Sequence, residues 1–171
     1  MSTRINLRVL IAVIAGVLVL ALLNWNIFKR ERLIEHGRIV FLQLASADPR
    51  FDYMALNYVL VDLLEHYELK NEGMLVLTLD EKNIARLSSV ATANTAIRRQ
   101  DDQVFLRYRA RGVGRDRVKV ATNAFFFEKG QWEIYEPARY GEFRVDDSGN
   151  AILIQLRDEQ LNVLGRSAVL N

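Results

Sequence analysis

Residues 9–23 contain only Val, Leu, Ile, Ala and one Gly, with Arg8 before them and Lys29-Arg30 shortly after. Such a run has no polar face to turn toward water, so it must enter a bilayer, be buried in a core or be removed by cleavage. Extended to Phe28, with Trp25 flanked by Asn24 and Asn26 at the interface, it reaches the roughly 20 helical residues that a hydrocarbon layer of about 30 Å requires. A core helix normally keeps a polar face, and this segment lacks one. A cleaved signal peptide would need small residues of A-x-A type after the apolar run, whereas Leu22-Leu23-Asn24-Trp25-Asn26 stands there. The sequence therefore predicts an uncleaved signal anchor over residues 1–28, with one transmembrane helix, followed by one soluble domain over residues 29–171. Charged residues interrupt every later apolar run, so a single span is expected.

Lys and Arg number 23 and Asp and Glu 21. Arg4 and Arg8 precede Lys29 without an acid beside them, so the remainder is neutral. A neutral domain lacks the electrostatic footprint of a nucleic-acid binder, and no nucleic-acid partner is expected. One local cluster stands out, formed by Arg107, Arg109, Arg111, Arg115, Arg117 and Lys119. Its period of two across an expected hairpin favours a solvated strand face over an anion or lipid-headgroup site. Lys29, Arg30, Arg32 and Arg38 outnumber the charges before the span, which on charge alone would hold the domain in the cytoplasm, but a folded domain of this size translocates largely regardless of nearby charge. The chain has no cysteine, which excludes disulfides, thiol catalysis and cysteine-bound metal.

The soluble part fits one domain of α+β class. Residues 29–37 read as a continuation of the anchor helix, with Leu33 and Ile34 toward the domain and Gly37 ending it. Beyond it the pattern turns to strands. Residues 38–45 form the first, broken by Asp48-Pro49-Arg50 because proline gives no amide to a ladder. Three hairpins follow: 74–80 with 84–91, 104–111 with 117–127, and 140–145 with 151–157, the last joined by Asp146-Asp147-Ser148-Gly149-Asn150. Together they imply a curved, partly closed antiparallel sheet. Tyr53, Leu56, Leu60, Leu63 and Tyr67 recur at helical spacing, so a helix capped by Asp52 is preferred over a strand in which Asp52, Met54, Leu56 and Tyr58 alternate. A short helix is expected over 131–136, ended by Pro137.

The stretch Asp52-Tyr53-Met54-Ala55-Leu56-Asn57-Tyr58, just after Asp48-Pro49-Arg50, resembles the signature of the GDYXXLXY family of bacterial proteins. Thr122-Asn123-Ala124-Phe125-Phe126-Phe127 and Ala138-Arg139-Tyr140-Gly141-Glu142-Phe143-Arg144-Val145 are similar to the end of that family's domain. Phe51 stands where the motif has its glycine. The resemblance implies location more than chemistry: an inner-membrane anchor, a periplasmic domain and a multi-pass membrane-protein partner.

Catalytic signatures are sparse. His36 and His66 are the only histidines and sit in separate elements, so no metal site is expected, and no cofactor. Gly112-Val113-Gly114 lacks the third glycine of a dinucleotide loop, and no G-x-S-x-G elbow occurs. Two constellations remain as candidate binding residues: Asp52, Tyr53, Leu56 and Tyr58, and Arg139, Tyr140, Glu142 and Arg144. A structural role, with Asp52 as a cap, the tyrosines in the core and Arg139 paired with Glu142, needs no substrate and is preferred. The functional expectation is a non-enzymatic accessory or binding subunit of a membrane-protein complex. The alternatives are a membrane-tethered envelope hydrolase or ligand-binding enzyme using Asp52, Glu142 and Arg139, and a lipid binder using the arginine-rich hairpin.

Overall fold

The computed structural model describes residues 7–49, 53–91, 100–111 and 117–165, except the side chains of 7–9, 22, 23, 26, 48, 49 and 66. Helix α1 (Leu7–His36) runs through the apolar segment and the charged turns after it. It stops at Gly37, whose amide donates to the Leu33 carbonyl at 2.9 Å, and the chain enters a strand at once. A Cβ at position 37 would lie 2.9 Å from Leu33 Cδ1 and 3.0 Å from Arg144 Cβ, so glycine is what permits this close approach. Leu33 is buried and Ile34 half-buried, as the sequence led us to expect. Among the described residues no helix is long and apolar enough to cross a membrane. The reading of residues 9–28 as a span therefore rests on their sequence.

The strands are β1 (Arg38–Pro49), β2 (Tyr53–Tyr58), β3 (Glu72–Leu79), β4 (Ala85–Ala91), β5 (Gln103–Ala110), β6 (Val118–Val120), β7 (Ala124–Phe126), β8 (Tyr140–Val145), β9 (Ala151–Arg157) and β10 (Val163–Leu164). Short helices α2 (Val59–Leu63), continued by a 3₁₀ turn, and α3 (Trp132–Tyr135) complete the order. The strands pair antiparallel, as expected, but divide between two sheets, β10-β9-β8-β1-β2-β7 and β4-β3-β5-β6. Alternate residues of both enter one core: Val40, Leu42, Met54, Leu56 and Phe143 from the first, Leu75, Leu77, Leu106, Tyr108 and Val120 from the second. The sheets are joined at their margins, where Phe41 N–H donates to the Asn83 carbonyl and Arg107 N–H to that of Gly149, both at 2.9 Å.

Three expectations need correction. The helix stripe over 53–67 is overridden in its first half: residues 53–58 form β2, flanked by β1 and β7, and the helix begins only at Val59. Met54, Leu56 and Tyr58 are buried on alternate positions, and the ladder bonds available on both edges outweigh a weak local preference. Strand β1 continues to Pro49, which sits at its end and leaves the central ladder unbroken. The run 117–127 is not one strand, because Ala121 at φ 48° turns the chain after β6 and sends β7 into the other sheet. The first and third hairpins form as expected, as does a helical turn before Pro137.

Candidate functional site

Residues Tyr140, Glu142 and Arg144 lie on one face of β8, opposite the face that carries Phe143 and Val145 into the core. Glu142 is the one buried charged residue among those described, at 5% exposure. Its Oε2 accepts from Gln155 Nε2 and Arg157 Nε, each at 2.7 Å, and lies 2.5 Å from Arg157 Nη2. Arg157 also spends Nη1 on the Leu161 carbonyl at 2.8 Å and rests 5.9 Å over the Phe41 ring. A carboxylate removed from water needs such partners, and here the register supplies them: Gln155 is directly opposite Glu142, and Arg157 is opposite Tyr140, two residues along the same face.

The expected Arg139–Glu142 pair does not form. The two side chains differ by an odd number of positions on an extended chain and so point to opposite faces. Arg139 donates from Nη1 to the Ala138 carbonyl at 2.8 Å, while its backbone links β9 to β1 through its amide to Arg157 O and its carbonyl to Leu44 N. Arg144 has a different task. Its Nη1 donates to the Gly37 carbonyl at 3.1 Å, placing a cation at the C-terminal end of α1, where the helix dipole favours positive charge.

Of the first constellation, Asp52 lies outside the described residues. Tyr53 is half-buried and packs beside Phe126 with ring centroids 5.8 Å apart. Leu56 and Tyr58 are in the core. The Tyr58 hydroxyl donates to the Thr122 carbonyl at 2.5 Å, and its ring meets Phe143 edge-on at 5.9 Å. Burial pushes the Tyr58 phenol well above its ordinary range, so it is a neutral donor that holds the β6–β7 turn against β2. The nearest described link between the two constellations is indirect, through the ring of Phe143, the residue between Glu142 and Arg144. Tyr58 is on the core side of the sheet and Glu142 on the outer side, so among the described residues no common pocket brings carboxylate, guanidinium and phenol together.

The basic row is placed as its alternation indicates. Arg107, Arg109 and Lys119 are exposed, while Val104, Leu106, Tyr108 and Ala110 are buried. Arg107, Arg109, Arg111, Arg117 and Lys119 line a groove of about 600 Å³ along β5 and β6, closed at one end by the β8–β9 turn. A second cleft, of about 920 Å³, separates that turn from the base of α1 and is lined by Lys29, Arg30, Arg32, Asp146 and Asp147 among others. Among the described residues no cluster of His, Asp and Glu could hold a metal ion. Sequence reasoning missed Gln155 and Arg157. Their signal was available as two polar residues spaced by two in the otherwise apolar run Ala151-Ile152-Leu153-Ile154-Gln155-Leu156-Arg157.

Compared with known proteins, residues 19–156 match one family, described as GDYXXLXY protein. No curated protein and no solved structure matches the chain.

Proposed function

The chain belongs to the GDYXXLXY family, and on that premise we propose that it is a membrane-anchored accessory or binding subunit whose domain is held in a set orientation at the membrane surface. One observation carries this reading: α1 passes into β1 through Gly37 alone, and Arg144 and Leu33 fasten the joint. A tether that only concentrates a domain near a membrane works through a flexible linker; a joint without one also fixes which face the domain presents. The anchor is supported by the sequence of residues 9–28 and by a 30-residue helix whose described apolar side chains, from Leu10 to Phe28, are exposed. Lys29 lies 5.4 Å over the Trp25 ring and Arg32 5.7 Å over that of Phe28, an aromatic and basic belt of the kind found at membrane–water interfaces. The domain is assigned to the periplasmic side of the inner membrane, and its partner is a multi-pass membrane protein. Among the described residues Glu142 is occupied by Arg157 and Arg139 donates to the Ala138 carbonyl instead of pairing with it, which favours this reading over the enzymatic alternative.

Mild crosslinking in cells is the test. One discrete membrane partner should be recovered with the wild type and lost when six Gly/Ser residues are inserted after Gly37. Recovery of the chain alone, or a partner unaffected by the insertion, overturns the reading. C-terminal reporters active only in the periplasm or only in the cytoplasm decide the side.

A further inference from the structure

The groove on β5 and β6 is built against its own electrostatics. Arg109 and Lys119 are directly opposite each other in the ladder, and Arg111 N–H donates to the Arg117 carbonyl at 2.7 Å, which sets a second pair of cations face to face one step along. Like charges directly opposite on neighbouring strands destabilise a sheet, and two successive pairs compound the cost. Among the described residues no acidic side chain lines the groove. Glu72, the β3 partner of Arg109, is the one acid that flanks these pairs in the described ladder. Arg107 is committed to the turn, its Nε donating to the Ser148 carbonyl at 2.8 Å, and Arg117 Nη2 reaches the Tyr67 carbonyl at 3.5 Å. Arg109, Arg111 and Lys119 have no hydrogen-bond or ion-pair partner among the described residues; Arg115 and Asp116 lie outside them.

We propose that this groove binds a phosphate-bearing anion, held between Arg109 and Lys119 and flanked by Arg111 and Arg117. Opposed side chains on adjacent strands start about 5 Å apart at Cβ, and successive ones on one face about 7 Å apart, a spacing that lets two or three cations converge on one tetrahedral oxyanion. Guanidinium forks suit that geometry because each can donate two parallel N–H bonds. The anion also supplies the negative charge that the opposed cations lack. Two sources carry this chemistry, a soluble phosphate compound and the headgroup of an anionic phospholipid. The second rests on the membrane-anchored reading: the 146–150 turn that closes the groove also lines the cleft beside Lys29, Arg30 and Arg32.

The experiment uses the full chain in neutral detergent and reads the thermal unfolding midpoint at constant ionic strength. One arm titrates pyrophosphate against chloride. The other compares micelles containing phosphatidylglycerol with micelles containing phosphatidylcholine. The wild type should be stabilised in at least one arm, and R109Q/K119Q should need a ligand concentration higher by about tenfold or more for half the effect, because two charged hydrogen-bond donors are lost. A response to pyrophosphate alone identifies a soluble ligand, and one to phosphatidylglycerol alone a headgroup. No stabilisation in either arm, or equal sensitivity of the double variant, overturns the site. Because neither readout depends on a protein partner, the groove and the accessory role fail independently.

Discussion

The β5–β6 and β8–β9 hairpins both place charged side chains at alternate positions on the face turned away from the core, yet their charges meet different fates. On β8 and β9, Phe41 lies beside Glu142 in register, the end of α1 packs nearby and β10 extends the sheet, so Glu142 is withdrawn from water and paired through Oε2 with Arg157 and Gln155. On β5 and β6 the described elements leave the cations exposed, and they face one another. Alternation along a strand sets which face a charge occupies. Whether it must be neutralised depends on what the rest of the fold lays over that face.

The largest test of this contrast is Arg157→Met. It leaves Glu142 buried without its counter-charge and should cost about 3–5 kcal/mol, whereas Glu142→Leu combined with Arg157→Met should recover most of the loss. Denaturant unfolding of the full chain measures both; a single-variant cost below about 1 kcal/mol would show that the two faces do not differ as described. Tyr58 adds a buried polar group that is neutral. Tyr58→Phe removes its bond to Thr122 and should cost about 1 kcal/mol at pH 7. Burial raises the phenol above its ordinary value of 10.0, so the folded protein keeps a proton that the unfolded chain releases. Its contribution is therefore complete below pH 10 and is lost as pH rises beyond it, by up to about 1.4 kcal/mol per pH unit. That slope should be present in the wild-type minus Tyr58→Phe difference, and a flat difference would contradict the assignment. The smallest effect belongs to the exposed hairpin. Lys119→Gln should stabilise the chain by about 0.2–1 kcal/mol at low salt, and the gain should vanish near 1 M salt, where charges a few ångströms apart are screened.

How much of this was legible in the sequence depends on how local the cause was. The turns were the clearest case. Asp146 accepts from Ser148 N–H and Asn150 N–H, and Asp80 accepts from Lys82 N–H and Ile84 N–H, so a short side chain at the first turn residue closes each loop without help from elsewhere. The same device recurs at Asp158, which accepts from Gln160 and Asn162, and leads into β10. That strand was missed although its turn signal, an Asp followed four residues later by Asn, repeats the one at Asp146. Tyr53 to Tyr58 were harder, because the stripe they begin and the alternation they contain are both real patterns. Only pairing with β1 and β7 selects the second. In the candidate site, the sequence marked Glu142 and Arg144 but not their partners. Gln155 and Arg157 come within reach through the β8–β9 register, and the Gly37 carbonyl through the return of β8 to the start of β1.

By itself, the amino-acid order determined the apolar helix, its end at Gly37, the turns of the first and third hairpins, the inner and outer faces of β5, and the family, because each follows from a few neighbouring residues or a short period. Tertiary structure decided that the strands split into two sheets, that Glu142 pairs with Arg157 and not Arg139, and that the cations of β5 and β6 gather in one groove. Those outcomes depend on residues far apart in the chain being brought into register, where burial makes a charge costly and opposition makes it repel, and no local pattern encodes either.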